Sequence, residues 1–154
     1  MASPSFAKVL MEENTQILEE RNARVKTITL NRPQKFNALT HKMILQLLKE
    51  FKEFEADPSL KILIVKGKGR ALCSGGDVPI IFMLMTEGHW IFAAHYYVKL
   101  LTLCFSTATL AKPVVFLLNG VVMGAGAGFS LMGKFRVATE NTVHGNNGLN
   151  DYKL

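Results

Sequence analysis

The chain has 154 residues, of which 49% are hydrophobic and 19% are charged, so it can build one buried core and is not intrinsically disordered. Its two cysteines, Cys73 and Cys104, are too few for a disulfide scaffold and are most simply free thiols in a reducing compartment. Subtracting 12 acidic from 18 basic residues leaves a net charge of +6, which favours anionic partners.

The first strand is predicted where β-branched residues alternate along the chain. Val25–Leu30 has this pattern and ends at the turn sequence Asn31-Arg32-Pro33. We expect Val9–Met11 to be its hairpin partner, across a linker (residues 14–23) whose composition is half helical.

A helix and a second strand follow. Thr40 is a plausible N-cap, apolar residues recur at helical spacing as far as Phe54, and Asp57-Pro58 ends the pattern. The short apolar run Lys61–Val65 is typical of a buried strand, and residues 67–77 have the composition of a loop.

The rest of the chain alternates between the two element types. Residues 80–109 have a helical composition with a break at Gly88, and Val114–Leu118 predicts a strand. A short helix is predicted over 124–132 and a further strand over Phe135–Thr139. This alternation indicates an α/β fold in which helices connect the strands of a sheet.

A membrane span is the main alternative for the stretch between Lys112 and Lys134. It contains 21 residues without a charge and a ridge of small residues at Gly120, Gly124 and Gly128. Pro113 and the turn dipeptide at Asn119 interrupt it, so we expect no span there.

Basic residues occur in two acid-free stretches, 21–49 and 61–70. They form either two solvated faces or a rim that attracts phosphates, and Lys66, Lys68 and Arg70 are the candidates for the rim. Aromatic residues for stacking on bases are missing from both stretches, which argues against a nucleic-acid partner.

Two glycine-rich turns each follow a predicted strand: Cys73-Ser74-Gly75-Gly76-Asp77 and Met123-Gly124-Ala125-Gly126-Ala127-Gly128. Glycine at a strand exit lets backbone N–H groups face outward, and a helix N-terminus adds positive potential. Two such turns side by side would make an oxyanion hole; the alternative is two tight turns packed against the sheet. Neither matches the dinucleotide pattern, so no nicotinamide cofactor is expected. The four histidines share no metal spacing, and no metal is predicted.

Four motifs in collinear order make the chain resemble the enoyl-CoA hydratase/isomerase (crotonase) superfamily. They are Asn31-Arg32-Pro33 with Asn37-Ala38-Leu39, the turn 71–77, the stretch from Lys112-Pro113 to Asn119-Gly120, and the turn 123–128. Within the superfamily, residues 73–77, Gly128 and the run 135–140 are most similar to 3-hydroxyisobutyryl-CoA hydrolases, particularly those of plants. The resemblance implies a spiral of stacked β-β-α turns, incomplete at its C-terminus.

The resemblance also implies a site for a thioester. The N–H groups of Gly76 and Ala125 would hold the carbonyl oxygen, although the family usually has glycine at the position of Ala125. The neighbouring residues expected to contact substrate are Gly75, Asp77, Gly124 and Gly126. Coenzyme A would enter as part of the substrate, with no separate cofactor.

The family's acidic residues are replaced in this chain. Gly128 stands where the hydratase branch has a catalytic glutamate, Leu100 where a substrate-contacting glutamate is usual, and Gly148 where the hydrolase carboxylate is expected. We therefore expect acyl-CoA thioester hydrolysis, as in valine breakdown, to be weak or absent. The alternative is a non-catalytic fragment that binds coenzyme A or pairs with subunits.

The resemblance spans about residues 8–143. It divides the chain into the N-terminal part of a crotonase-like domain (1–143) and a divergent tail (144–154), as in a shortened protein. An exposed sheet edge and uncovered apolar faces predict a homo-oligomer or pairing with longer relatives. Relatives suggest a peroxisome or mitochondrion, although no signal or transit pattern is found at the N-terminus. Only Lys153-Leu154 match a peroxisomal address, and if this end is not read as an address we expect the cytoplasm.

Overall fold

The computed structural model describes residues 16–145. Within them, eight strands and four helices follow one another, with one turn of 3-10 helix at Pro33–Lys35. In chain order they are β1 (Ile17–Asn22), β2 (Val25–Leu30), α1 (His41–Ala56), β3 (Ile62–Gly67), β4 (Ala71–Cys73), α2 (Val78–Thr86), α3 (Trp90–Thr109), β5 (Val114–Leu118), β6 (Val121–Met123), α4 (Gly124–Leu131), β7 (Phe135–Ala138) and β8 (Val143–Gly145).

The strands form two sheets. The larger has the order β1-β2-β3-β5-β7, in which only the β1–β2 pair is antiparallel. The smaller has the order β4-β6-β8 and is entirely parallel. From β3 onward each pair of consecutive strands therefore sends its first strand to the large sheet and its second to the small one, and helices carry the chain to the next pair. This is the predicted α/β spiral of β-β-α turns.

Helix α1 covers one face of the large sheet and begins and ends where its sequence predicts. The side chain of Thr40 accepts a hydrogen bond from the backbone N–H of Met43 at 3.1 Å, which satisfies a donor that the helix leaves unpaired. Phe51 and Phe54 are buried on the inner face of α1. The ring of Phe51 stacks on Phe129 of α4, and Phe129 meets Phe116 of β5 edge to face, so aromatic contacts join both helices to the sheet.

Three predicted segments differ in the structure. The partner of β2 is Ile17–Asn22, which lies in the expected linker, while Val9–Met11 lies outside the described residues. Five of the six side chains of β1 are exposed, so the strand lacks an apolar alternation. The expected loop 67–77 contains β4, and β6 was not predicted at all; both are three-residue strands.

The uncharged stretch considered as a membrane span contains β5, β6 and α4 instead. By length and composition alone, α3 could cross a membrane, and it is the one helix among residues 16–145 that could. The predicted domain boundary at Val143 falls at the start of β8.

Candidate functional site

The two glycine-rich turns lie side by side because the strands before them are parallel neighbours. Residues 71 and 73 of β4 pair with Val121 and Val122 of β6, so both strands end at the same edge of the small sheet. Gly75 sits against the first turn of α4: a Cβ built on it would lie 3.4 Å from the backbone nitrogen of Ala125. Gly75 has a φ of +117°, a conformation that side-chain-bearing residues rarely adopt.

In the turn after β4, the backbone N–H groups around Gly76 are all occupied. The N–H of Ser74 donates to the carbonyl of Phe36 at 2.9 Å, and that of Asp77 to the carbonyl of Leu39 at 3.1 Å. The N–H of Gly75 lies 3.4 Å from the Cys73 sulfur. Among residues 16–145, no acceptor receives the N–H of Gly76. This N–H is therefore a donor that the turn leaves available.

Ala125, the second predicted donor, has an available N–H because of its place in α4. It lies in the first turn, where N–H groups have no acceptor within the helix and where the helix dipole favours negative charge. Positive φ among non-glycine residues of the described chain is confined to Ala23, Phe36 and Asn37. Ala125 thus has ordinary helical backbone, and its methyl group does not displace the N–H.

Gly126 allows the two turns to approach each other. A Cβ on this residue would lie 2.4 Å from the carbonyl oxygen of Cys73 and 2.8 Å from its sulfur, distances that real side chains do not show. Gly126 therefore belongs to the packing of α4 against β4. Gly124, at the start of α4, has a φ of +51° and leads the chain from β6 into the helix.

Asp77, predicted to contact substrate, makes an internal ion pair. Its carboxylate lies 2.9 Å from the guanidinium of Arg32, and the two side chains are 11% and 5% exposed. The same nitrogen of Arg32 donates to the carbonyl of Ala38 at 2.7 Å. The pair therefore joins the turn 74–77 to the segment 32–38.

Asn37 and Tyr96 complete the framework of the turn. The side-chain amide of Asn37 donates to the carbonyls of Lys68 and Ala71, and its oxygen accepts the N–H of Arg32. The hydroxyl of Tyr96, on α3, donates to the carbonyl of Leu39 at 2.8 Å. Sequence reasoning assigned no role to Arg32, Asn37 or Tyr96; the first two lie in the motifs of the family resemblance, whereas nothing in the sequence distinguishes Tyr96 from other apolar residues of α3.

The three candidate rim residues are differently placed. Lys66 is half-buried on β3, and Lys68 is exposed just after it. The guanidinium of Arg70 lies 5.3 Å above the ring of Phe36. Because the carbonyl of Phe36 accepts the N–H of Ser74, Arg70 lies beside the turn that carries Gly76.

The thiol of Cys73 and the imidazole of His41, two titratable groups near the turn, favour their neutral forms. Burial raises the pKa of the Cys73 thiol to about 12, so Cys73 is an inert core residue and no nucleophile. Burial and the charges of His95 and Lys99 lower the pKa of His41. Between residues 16 and 145, no three His, Cys, Asp or Glu side chains form a group that could hold a metal ion.

Two of the three positions at which this chain lacks a carboxylate of the family lie within the described residues. Leu100 is 8% exposed and belongs to the core beneath α3. A Cβ on Gly128 would meet nothing within 4 Å, so the space beside it is open. Gly148, the third position, lies outside the described residues.

The family profile and the similar curated proteins agree on one family. The family profile described as enoyl-CoA hydratase/isomerase matches residues 25–146. A probable 3-hydroxyisobutyryl-CoA hydrolase 3 of Arabidopsis thaliana is 50% identical over 133 residues, which are 86% of this chain and 35% of that protein. The mitochondrial 3-hydroxyisobutyryl-CoA hydrolase-like protein 1 of the same plant is 41% identical over 128 residues, 83% of this chain and 32% of that protein.

Solved structures share the fold. An enoyl-CoA hydratase from Rhodobacter sphaeroides superposes with a TM-score of 0.82 and 26% identity, over 86% of this chain and 40% of that one. Among the curated relatives described above, the chain spans about 35% of the length of the first, the probable hydrolase 3 of Arabidopsis thaliana.

Proposed function

The chain belongs to the enoyl-CoA hydratase/isomerase family, and from this premise we propose that it binds an acyl-CoA thioester whose carbonyl oxygen lies between the backbone N–H groups of Gly76 and Ala125. The observation that carries the proposal is the contact between the two turns, in which Gly75 leaves only 3.4 Å between an added Cβ and the nitrogen of Ala125. The unoccupied N–H of Gly76 is adjacent.

Two fixed N–H donors polarise the thioester carbonyl. When a nucleophile attacks the carbonyl carbon, negative charge develops on the oxygen, and donors that are already oriented stabilise it without reorganisation. Removing one such donor typically costs about 100-fold or more in rate. The N-terminus of α4 adds favourable potential at the same place.

The acyl group we assign is 3-hydroxyisobutyryl, and the reaction is hydrolysis to the hydroxy acid and coenzyme A. Support comes from the curated relatives, whose names carry this activity at 50% and 41% identity. Glycine at position 128 supports the hydrolase branch, because a hydratase needs a side-chain carboxylate there.

We further propose that residues 16–145 bind the thioester but hydrolyse it slowly or not at all. Hydrolysis needs a group that activates water, and general acid–base catalysis contributes about 100- to 10,000-fold. The carboxylate of Asp77 is committed to Arg32, Gly128 has no side chain, and Leu100 is apolar. Binding without rapid turnover, the alternative function, is favoured by the same residues.

Lys66, Lys68 and Arg70 would attract the phosphates of coenzyme A. Arg70 supports this best, because its stacking on Phe36 fixes a cation next to the turn of Gly76. Two relatives are named as mitochondrial: the 3-hydroxyisobutyryl-CoA hydrolase-like protein 1 of Arabidopsis thaliana and the 3-hydroxyisobutyryl-CoA hydrolase of Gallus gallus. They lead us to propose a mitochondrial location for this chain.

The carbonyl stretch of isobutyryl-CoA labelled with ¹³C at the carbonyl tests the oxyanion hole directly. Difference infrared spectra should show a shift to lower frequency on binding, because two hydrogen bonds weaken the C=O bond. Gly75→Ala should abolish the shift, since alanine rarely adopts the φ of +117° that the backbone has at this position beside Ala125.

Gly88→Ala is the matched control. Gly88 also has a positive φ of +83°, but nothing lies within 4 Å of its Cβ position, so the variant should keep the shift. Turnover of 3-hydroxyisobutyryl-CoA by the unmodified chain should stay far below the enzyme median of ~10 per second. A bound thioester with an unshifted carbonyl band would rule out the proposed donors.

A further inference from the structure

A cavity of about 650 Å³ lies between α1 and α3, within the range of about 300–1,000 Å³ that is typical of small-molecule pockets. It is at the far end of α1 from the glycine-rich turns. The N–H of Leu39, just before α1, donates to the carbonyl of Gly75. The cavity instead includes Glu55 in the last turn of the helix, roughly 20 Å along its axis. It is therefore separate from the thioester site.

The carboxylate of Glu55 has one oxygen without a partner at this cavity. Its Oε1 accepts the backbone N–H of Ala111 at 3.3 Å. Its Oε2 is buried, and no group within residues 16–145 donates a hydrogen bond to it. A buried carboxylate oxygen without a donor is costly, and folded proteins rarely contain one. The cavity therefore has a strong acceptor that a ligand can satisfy.

Two lysines lie near this carboxylate, but neither neutralises it. Lys112, next to Ala111, donates to the carbonyls of Phe54 and Asp57 at 2.8 and 2.6 Å, so its ammonium is held at the end of α1. Lys52 lines the rim of the cavity and is exposed. Neither forms an ion pair with Glu55 in the described part of the chain. The charge of Glu55 is thus left for another cation.

The ends of two helices add negative potential at the same place. α1 ends at Ala56 and α3 ends at Thr109, and both residues line the cavity. The C-terminus of a helix is the negative end of its dipole and is stabilised by a nearby cation. Neither helix has a basic residue in its last turn. The cavity therefore favours a positively charged group.

The remaining polar atoms of the cavity are also acceptors, and its walls are mainly apolar. Thr102 donates its hydroxyl proton to the carbonyl of Val98 at 2.7 Å. Thr109 donates its own to the carbonyl of Phe105 at 2.9 Å. Each hydroxyl has one proton, so these two oxygens can only accept. The apolar part of the wall is formed by Leu48, Phe51, Ala56 and Leu110.

From these observations we propose that the cavity binds a small organic amine, whose protonated amino group donates to Oε2 of Glu55 and whose apolar body lies between α1 and α3. A primary ammonium has three donors and a positive charge, which match the acceptors and the carboxylate. A bare Ca²⁺ or Mg²⁺ would need more oxygen ligands than one carboxylate supplies. The proposal does not depend on thioester binding at Gly76 and Ala125.

Titration of the full chain with 2-phenylethylamine, followed by the NMR shifts of backbone amides, tests the proposal. The amine is protonated at neutral pH. We expect saturable binding at millimolar concentration, with large shifts at Glu55 and Ala111. The uncharged analogue 2-phenylethanol should bind about tenfold more weakly, because it lacks the charge-assisted hydrogen bond. Equal binding of the two compounds, or no binding of the amine, would overturn the proposal.

Glu55→Gln keeps the shape of the side chain and an acceptor for the N–H of Ala111, but it removes the charge. It should weaken amine binding about tenfold or more. Binding of 2-phenylethanol should stay unchanged, which reports that the cavity is intact. Glu53→Gln is the matched control, because it neutralises an exposed carboxylate of the same helix that lies outside the cavity. Equal losses in both variants would indicate only general attraction to an acidic surface and would overturn the proposal.

Two further variants locate the ligand. Ser106→Phe fills the cavity and should block both compounds, whereas Ala108→Phe, exposed on the same helix and outside the cavity, should not. Lys52→Gln removes a like charge from the rim and should leave amine binding unchanged or stronger. Amine binding that survives Ser106→Phe, or that is lost in Lys52→Gln, would contradict the assigned site.

Discussion

The ion pair between Arg32 and Asp77 should be among the most sensitive positions of the molecule. Its atoms lie 2.9 Å apart and both side chains are nearly buried. Arg32→Met removes the guanidinium and leaves the Asp77 carboxylate in the interior without its cation. Breaking a buried pair in this way costs about 3–5 kcal/mol. Because domains are stable by only about 5–15 kcal/mol, this is about a fifth or more of the total.

Asp77→Asn tests the opposite partner. The amide keeps the shape and can still accept a hydrogen bond from Arg32, but it removes the negative charge of this pair, so the loss should be similar or slightly smaller. The double variant contains no unpaired charge. Its loss should therefore fall short of the sum of the single losses by about 2 kcal/mol or more.

Urea unfolding followed by far-UV circular dichroism measures all three variants. Single losses below about 1 kcal/mol, or losses that simply add, would refute a buried pair that fixes the turn. The experiment also separates the two roles of Asp77. If its carboxylate contacts substrate, Asp77→Asn should weaken thioester binding while the stability stays unchanged.

Three further outcomes follow from the same contacts. Burial raises the pKa of the Cys73 thiol from 9.0 to about 12, so the folded chain keeps this proton where the unfolded chain loses it, and the free energy of unfolding should fall as pH rises from 9 towards 12. Cys73→Ala should reduce the slope of that fall by up to about 1.4 kcal/mol per pH unit in urea titrations. An unchanged slope would contradict the burial of the thiol. Gly126→Ala should cost about 1–3 kcal/mol or more and weaken isobutyryl-CoA binding in calorimetry, whereas Gly128→Ala, with open space around it, should do neither. Affinity for coenzyme A should fall with added salt, and Lys68→Gln should weaken both the affinity and its salt dependence while Lys52→Gln on α1 does not; binding that ignores salt would leave Lys68 as a solvated surface residue.

Local signals account for the elements that the sequence predicts. β2 coincides with the β-branched run Val25–Leu30, and α1 begins at the Thr40 cap and ends at Asp57. In both elements the residues that specify the structure lie inside it or at its ends. The break at Gly88 likewise separates α2 from α3 as predicted.

The elements that escaped prediction depend on distant partners. β4 and β6 have three residues each, too few for an alternating pattern, and they exist because they pair with each other across almost 50 residues of chain. β1 is exposed at five of its six positions and is a strand because it completes the hairpin with β2. Secondary structure of this kind is a consequence of the tertiary fold.

The candidate site follows the same division. Its glycines are visible in the sequence as turns, but their contact depends on β4 and β6, and the ion pair that braces them joins residues 45 positions apart. Sequence reasoning therefore located the two turns, and the donor roles of Gly76 and Ala125 stay predictions. It did not predict the pairing of Asp77 with Arg32, because the two residues lie 45 positions apart, and the contact of Asp77 with substrate stays a prediction.

A hole built from backbone N–H groups has a further consequence for what this chain can do. Any residue except proline supplies an N–H, so Ala125 can donate where the family usually has glycine, and we expect both N–H groups to keep their places as long as β4 and β6 remain paired. Water activation instead depends on particular side chains, and Gly128 and Leu100 provide none that titrates. Carbonyl polarisation is thus tied to the fold, whereas hydrolysis is tied to a few replaceable positions. Substitutions that abolish hydrolysis should therefore leave thioester binding by the described part of the chain intact. The infrared shift of the bound carbonyl should be present even where turnover is negligible.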